Sequence, residues 1–393
     1  MKNKPIKYII VDFSASLMHT HHKQSLFAFS SLLEKRDVEN EIWVPIGSQI
    51  NNPEYKIRKI LIPGTHSVAF NFLKSQTWIP GSLGKLLFVA IKYNLNILLK
   101  IYFHLLVKCF CKLINIESKS YLLKIIFTTA CPFTFKSILA LEKNMLPLKI
   151  YCRLTNTSEN RGNLARWYSL DDFLSHIIYF KYISIRLGVE TKAYLKVVDP
   201  NESGIFYISK FPHILKKNLN FYKNVNFTLS FLGFPTVFKG QKHISSIVNA
   251  VGQKRSASHF QIQVYENDPI MSELENLNRT IKFLIGKVRS EDIEEALRNT
   301  TLICLPYDKV AFKYNSSAMM YEALDYQIPI ITFTGSAFAS DVEIYNCGLT
   351  VNDENEMINV IINTTDSQII EWKVGCQLFN EFRNTSNYEF LEI

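Results

Sequence analysis

Short apolar runs alternate with segments of helical period along most of the chain. In the first half, Lys7–Val11, Glu41–Pro45, Lys124–Thr128 and Leu148–Cys152 read as buried strands, with helices over Ser25–Leu33 and Phe133–Lys143. A second series follows Asn220. Its strands are Val225–Leu232, Phe260–Val264, Thr280–Ile285, Thr301–Leu305 and Pro329–Phe333, and its helices Lys242–Val251, Glu291–Arg298 and Ser317–Leu324. Alternation of this kind is the pattern of βαβ units on a parallel sheet, so the expected class is α/β. Ser290 reads as an N-cap, with Glu291 and Asp292 placing negative charge on the first helical turn. Two α/β halves joined near residues 200–220 would leave a cleft between them. Substrates favour such a cleft and the carboxyl ends of its strands. The helical pattern over Asp366–Glu392 is expected to cross back to the first half.

The most hydrophobic stretch, Leu83 to Ile116, is no membrane span. Lysines recur at positions 85, 92, 100, 108 and 112, and the longest uncharged run, Ile101–Val107, is short. A spanning helix wants about 20 predominantly apolar residues. The lysines recur at close to two helical turns and so share a stripe, with Leu86, Leu87, Val89, Ile97, Leu98, Ile101, Leu105 and Leu106 filling the rest. Such a helix has two readings: it docks on an anionic membrane surface, or it is buried and snorkels its lysines to water.

Composition narrows the classes. The 393 residues suit two domains, and 47% apolar with 13% aromatic content excludes a disordered chain. Only 14 Gly and 13 Pro exclude collagen-like and Pro/Gly low-complexity sequences. The net charge of +9 is moderate over this length. Lys216-Lys217 and Lys254-Arg255 read as solvated surface, and no aromatic-interleaved basic stripe points to nucleic acid. The seven cysteines, at 109, 111, 131, 152, 304, 347 and 376, form no C-x-x-C and no zinc spacing, so they read as reduced buried thiols. The apolar run Tyr8–Val11 stops at Asp12, short of the about 7–15 residues of a signal-peptide core, and a cytoplasmic protein is expected.

Three segments of the second half carry candidate chemistry. Phe231-Leu232-Gly233-Phe234-Pro235-Thr236-Val237-Phe238-Lys239-Gly240 reads as a strand, a tight turn and Lys-Gly opening a helix. A lysine there can neutralise a diphosphate beside free helix N–H groups, although a surface lysine on a loop has the same sequence. Ile281 to Val288 ends its strand at Gly286, where the backbone can approach a ligand ring closely. The third segment runs from Leu305-Pro306-Tyr307-Asp308 through Tyr314-Asn315-Ser316-Ser317 to Glu322 and Leu324. The N–H groups of Ser316 and Ser317 at a helix start can hold phosphate, and Glu322 further along can accept two ribose hydroxyls or stand in solvent. Earlier in the chain, His19, His21 and His22 form a cluster with three readings: a metal site, for which a partnered carboxylate is lacking, a cleft-facing loop, or a solvated loop.

In this order and spacing, the three segments resemble the C-terminal domain of family 4 glycosyltransferases of the GT-B type. The resemblance covers roughly residues 225–350 and is fainter over Asp12–Ser16 and His21-His22. It implies a GT-B architecture of two Rossmann-like domains facing an interdomain cleft: an acceptor domain over 1–215 with the basic helical insert near 83–116, a donor domain over 216–370, and a crossing helix over 371–393. It implies transfer of a sugar from a nucleotide-sugar donor to a glycan or lipid-linked acceptor in cell-surface polysaccharide synthesis, retaining and metal-independent. The nucleotide-sugar is a substrate, so no cofactor is expected. Gly233, Lys239, Gly240, Gly286, Asn315, Ser316, Ser317 and Glu322 would bind the donor, and Lys239 and His21 would serve catalysis. The protein would sit in the cytoplasm, with peripheral contact to an anionic membrane at its inner face. Two departures stand out: Gly233 is followed by Phe234 where the family has an arginine nearby, and the first glutamate of the family's pair would fall near Tyr314-Asn315. A GT-B-like binding or scaffold protein without chemistry is the alternative, and a nucleotide-sugar epimerase on the same architecture a third reading.

Overall fold

The computed structural model describes residues 4–13, 21–46, 48, 50–60, 96–130, 132–154, 170–213, 227–233, 236–277, 279–286 and 288–393, with the side chains of 21, 22, 96–103, 132 and 133 left out. The chain divides into two compact units. The first holds Met1–Val189, Asn201–Pro212 and Asn387–Ile393, the second Glu190–Pro200 and His213–Ser386.

In the first unit, seven parallel strands lie in the order β3-β2-β1-β4-β5-β6-β7. They are β1 (Ile6–Val11), β2 (Asn40–Pro45), β3 (Ile57–Ile60), β4 (Leu122–Phe127), β5 (Leu148–Leu154), β6 (Ile183–Val189) and β7 (Phe206–Ile208). The helices α1 (His21–Glu34), α2 (Asn96–Ser118), α3 (Pro132–Lys143) and α4 (Leu170–Ile177) belong to this unit. Because both faces of a parallel sheet are covered, the central strands are apolar on each side: Ile9, Ile10, Val11, Ile125, Ile126 and Phe127 are all fully buried. The expected strands and helices of this half are present, each within about two residues at its ends except α1, which starts four residues earlier. The strands β3, β6 and β7 were not foreseen.

The hydrophobic stretch resolves in part. Residues 83–95 lie outside the described ones. Along α2, Leu106, Val107, Phe110, Cys111 and Ile114 are buried, while Lys108 and Lys112 are exposed together with Leu105 and Ile116. No helix among the described residues is long and apolar enough to cross a membrane.

The second unit is built on six parallel strands in the order β10-β9-β8-β11-β12-β13. These are β8 (Thr228–Phe231), β9 (His259–Val264), β10 (Thr280–Ile285), β11 (Leu302–Leu305), β12 (Ile330–Phe333) and β13 (Gly348–Val351). Its helices are α5 (Lys192–Val198), α6 (Ile244–Lys254), α7 (Pro269–Glu275), α8 (Ser290–Arg298), α9 (Ala318–Asp325), α10 (Ala339–Tyr345), α11 (Glu354–Asn363) and the long α12 (Asp366–Leu391), which continues into the first unit from Asn387. Leu229, Phe231, Ile247, Val251, Ile262 and Trp372 pack in its core.

Three expectations need correction here. Ser290 is the first helical residue of α8 and Arg289 takes the cap position without a side-chain cap bond; the Arg289 guanidinium instead clasps Asp292 with two bonds of 2.9 Å. Arg255 is not solvated surface. Its guanidinium lies 3.8 Å from the centre of the Phe227 ring and donates to the carbonyls of Ile361 and Thr364, closing the end of α6 on α11. Lys239-Gly240 does not open an α-helix directly. Two one-turn 3₁₀ segments, Val237–Lys239 and Gln241–His243, come first, with Gly240 between them in the left-handed region.

Candidate functional site

In each sheet the chain leaves the first strand in one direction and later returns on its other side, so β1/β4 and β8/β11 are topological switch points. Open α/β sheets bind ligands there, outside the carboxyl ends of the strands. At the β8/β11 point the loop after β8 supplies Gly233 and Lys239, and the loop after β11 supplies Pro306 and Tyr307. The two loops are joined by the Asp308 N–H, which donates to the Phe238 carbonyl at 2.8 Å.

Gly233 has φ +102°, and a Cβ on it would stand 3.1 Å from the Tyr307 hydroxyl, 3.5 Å from Lys239 Nζ and 3.7 Å from Met319 Cβ. Three side chains from three elements therefore converge on one bare stretch of backbone. Gly240 serves the turn: a Cβ there would lie 2.0 Å from the Pro306 carbonyl oxygen, so any side chain would force the loops apart. Gly233, Thr236, Lys239, Gln263, Pro306 and Tyr307 line a small pocket of about 20 Å³, the room of one water. Tyr307 is buried against Phe312 and Phe338, and Lys239 Nζ stands 5.8 Å from its ring centre. Burial pushes the Lys239 ammonium below the ordinary lysine range, and the Glu322 carboxylate partly opposes this. Burial likewise keeps the Tyr307 phenol protonated.

The helix α9 reaches this point through Met319. Ser317 is its N-cap, and its hydroxyl accepts from the Met320 N–H at 3.2 Å, so the hydroxyl itself is turned into the helix. Ser316 stands just before the cap. Asn315 donates to the Ala311 carbonyl at 3.4 Å, within the loop. The loop is held in place from α5, whose N-cap Thr191 donates to the Tyr314 carbonyl at 2.8 Å. Glu322 is half-buried, within electrostatic reach of Lys239 and Tyr307. Gly286, at φ +67° with open space around it, does not touch Lys239 directly but is tied to Gly233 through Gln263.

Sequence reasoning passed over Gln263, Tyr307 and Thr191 as site residues. The signal for the first was present: Gln261 and Gln263 alternate in an otherwise apolar strand and are both buried. At the β1/β4 point, Thr128 donates to the buried Asp12 carboxylate at 2.8 Å. His21 opens α1, but its side chain, like His22 and the whole of His19, lies outside the described residues. Among the described residues no three His, Cys, Asp or Glu side chains gather as a metal-ligand set. The six described cysteines are free thiols, all buried except the half-buried Cys109.

Solved structures share this fold over nearly the whole chain. A Staphylococcus aureus TarM variant, crystallised with fondaparinux, α-GlcNAc-glycerol and UDP, matches with a TM-score of 0.62 at 11% identity, over 98% of this chain and 100% of its own. Anabaena HepE in complex with UDP-glucose matches at 0.56 and 11%, over 98% of each chain. WaaG, a glycosyltransferase of lipopolysaccharide biosynthesis, matches at 0.50 and 12%, over 98% of this chain and 97% of its own. The fold is that of GT-B glycosyltransferases. No protein-family model and no curated protein matches the sequence.

Proposed function

We propose that this protein is a glycosyltransferase of the family 4 type, moving a hexose or related sugar from a nucleotide-sugar to a glycan or lipid-linked acceptor in cell-surface polysaccharide synthesis. The observation that carries the reading is Lys239: a poorly hydrated ammonium fixed beside the bare Gly233 backbone at the switch point of the second sheet. An anion brought there meets a half-buried cation whose hydration is reduced. As the sugar–oxygen bond breaks, the departing diphosphate gains negative charge, and a fixed cation stabilises it without reorganisation. The N–H groups of the first turn of α9 add their dipoles to the same end. Glu322 suits a ribose, accepting from two hydroxyls. These fixed charges would do the electrostatic work without a metal ion, and the reading includes retention of configuration, with His21 on the acceptor side. UDP or UDP-glucose in structures of the same fold supports the choice of donor class. The exposed lysines and apolar tips of α2 support peripheral contact with an anionic membrane at the cytoplasmic face.

Phe234 after Gly233 and the uncharged Tyr314 favour the second reading, a binding protein without turnover. Mass spectrometry of nucleotide-sugars co-purifying with the protein, followed by a donor-hydrolysis assay, separates the two. A bound nucleotide-sugar that is slowly hydrolysed supports the transferase. A bound one that is never hydrolysed supports the binding protein, and no bound or binding nucleotide-sugar removes both.

A further inference from the structure

The loops carrying Gly233 and Gly286 leave β8 and β10, which are not neighbours: β9 lies between them. Two inter-strand spacings, about 9.5 Å, therefore separate the parts of the site that would hold the diphosphate and the nucleoside ring. Both glycines have positive φ, +102° and +67°, and neither carries a side chain to fix its loop. One residue reaches both. Gln263, on β9 and 6% exposed, accepts from the Gly233 N–H at 3.0 Å through Oε1 and donates to the Gly286 carbonyl at 3.3 Å through Nε2. Gln261, two residues earlier, spends its amide on Ser230, the Ala296 carbonyl and Thr300, deeper in the unit. Of the two glutamines, only Gln263 is bonded to backbone at both loops.

We infer that Gln263 is a positioning residue that sets the spacing of these two loops, and through it the reach of the site for a ligand with a diphosphate at one end and a ring at the other. A carboxamide is suited to this because it accepts on one side and donates on the other. A leucine would fill the space and leave both backbone groups without that partner, at the cost of buried polar groups losing their bonds. The inference rests on the nucleotide-sugar reading of this unit.

UDP binding, followed by calorimetry, tests it. Wild-type protein that binds no UDP overturns the donor-site reading and the brace with it. Where the wild type binds, Gln263→Leu is expected to raise Kd about tenfold, the equivalent of one or two hydrogen bonds. Gln263→Glu is the sharper variant. Its ionised carboxylate can accept from the Gly233 N–H but cannot donate to the Gly286 carbonyl, whereas its protonated form does both. Burial raises a carboxyl pKa and the Lys239 ammonium lining the same pocket opposes this, so the variant is compared with wild type across the whole range from pH 8 to pH 5.5. Its Kd relative to wild type at the same pH is expected to fall from about tenfold near pH 8 to about twofold near pH 5.5. A ratio equal at both pH values, or a Leu variant with wild-type affinity, overturns the brace and leaves the donor site standing. Since each pH comparison is made within one folded variant, a general loss of stability cannot imitate the trend.

Discussion

A lysine partly withdrawn from water binds its proton less firmly, and Lys239 is such a residue. Its charged form is favoured again when an anion arrives, so ligand and proton bind together. Affinity for a nucleoside diphosphate is therefore expected to hold near neutral pH and to fall as the pH rises through the lowered lysine value, short of the ordinary 10.5. Calorimetry in buffers of different ionisation enthalpy would read proton uptake in that window, and Lys239→Ala should abolish it. The same variant should lower kcat by about 10²–10³, the scale of losing one stabilising donor. Lys239→Arg should restore only part, because a planar fork does not replace a compact ammonium in a tight turn. Wild-type turnover in Lys239→Ala would remove the assignment. Lys239, Gly240 and Glu322 could be picked out from the sequence beside them, and the structure brings Lys239 and Glu322 within electrostatic reach of each other. The roles of Gln263 and Tyr307 were not legible, because their partners lie on other strands and loops.

At the scale of elements, burial decided what could be read. The strands β9, β10, β11 and β12 carry short, mainly apolar runs between turn residues, and the sequence places their ends within one residue of the observed ones. The strand β6 carries Arg186 and Gly188, which break the run. Gly188 is required by contact, since a Cβ there would stand 2.6 Å from Ser209 Cβ. Arg186 belongs to the anchor of α12, where Glu392 takes Lys149 at 2.9 Å, Arg186 at 2.6 Å and the Tyr151 hydroxyl at 3.1 Å. The Lys149 bond, then the Arg186 charge and the Tyr151 bond, hold the Glu392 carboxyl below its ordinary value of 4.5. A lowered carboxyl pKa stabilises the fold above the unfolded value and loses that effect as the pH falls through the folded one. Glu392→Gln should thus lower Tm by about 2–4 °C at neutral pH. In a series of scanning-calorimetry runs the two proteins should converge as acid takes the pH below 4.5; a gap that persists in acid would mean that the carboxylate charge is not the anchor.

For the whole molecule, α2 offers a surface on which Leu105 and Ile116 stand among Lys108, Lys112 and Lys119, all exposed. Vesicles decide whether it meets a membrane. The protein should co-sediment with anionic but not neutral vesicles, less so as salt screens the lysines. Equal partitioning to both, or none to either, would leave α2 as a helix packed by its buried face. The two-sheet class was legible because alternation repeats in both halves. The membership of each unit was not, since it depends on the chain changing units after Val189, Pro200, Pro212 and Ser386. That last change has a consequence for how the molecule is made. The Tyr8 hydroxyl, near the beginning of the chain, donates to the Leu391 carbonyl at 3.2 Å, and Phe390 packs on Tyr151. A ribosome delivers Tyr8 long before Leu391, so the first unit is completed only after His213–Ser386 of the second has been made. A nascent chain halted before Asn387 would hold the seven strands of the first sheet without the segment that covers them. Emergence of Asn387–Ile393, rather than of the first half, completes that core.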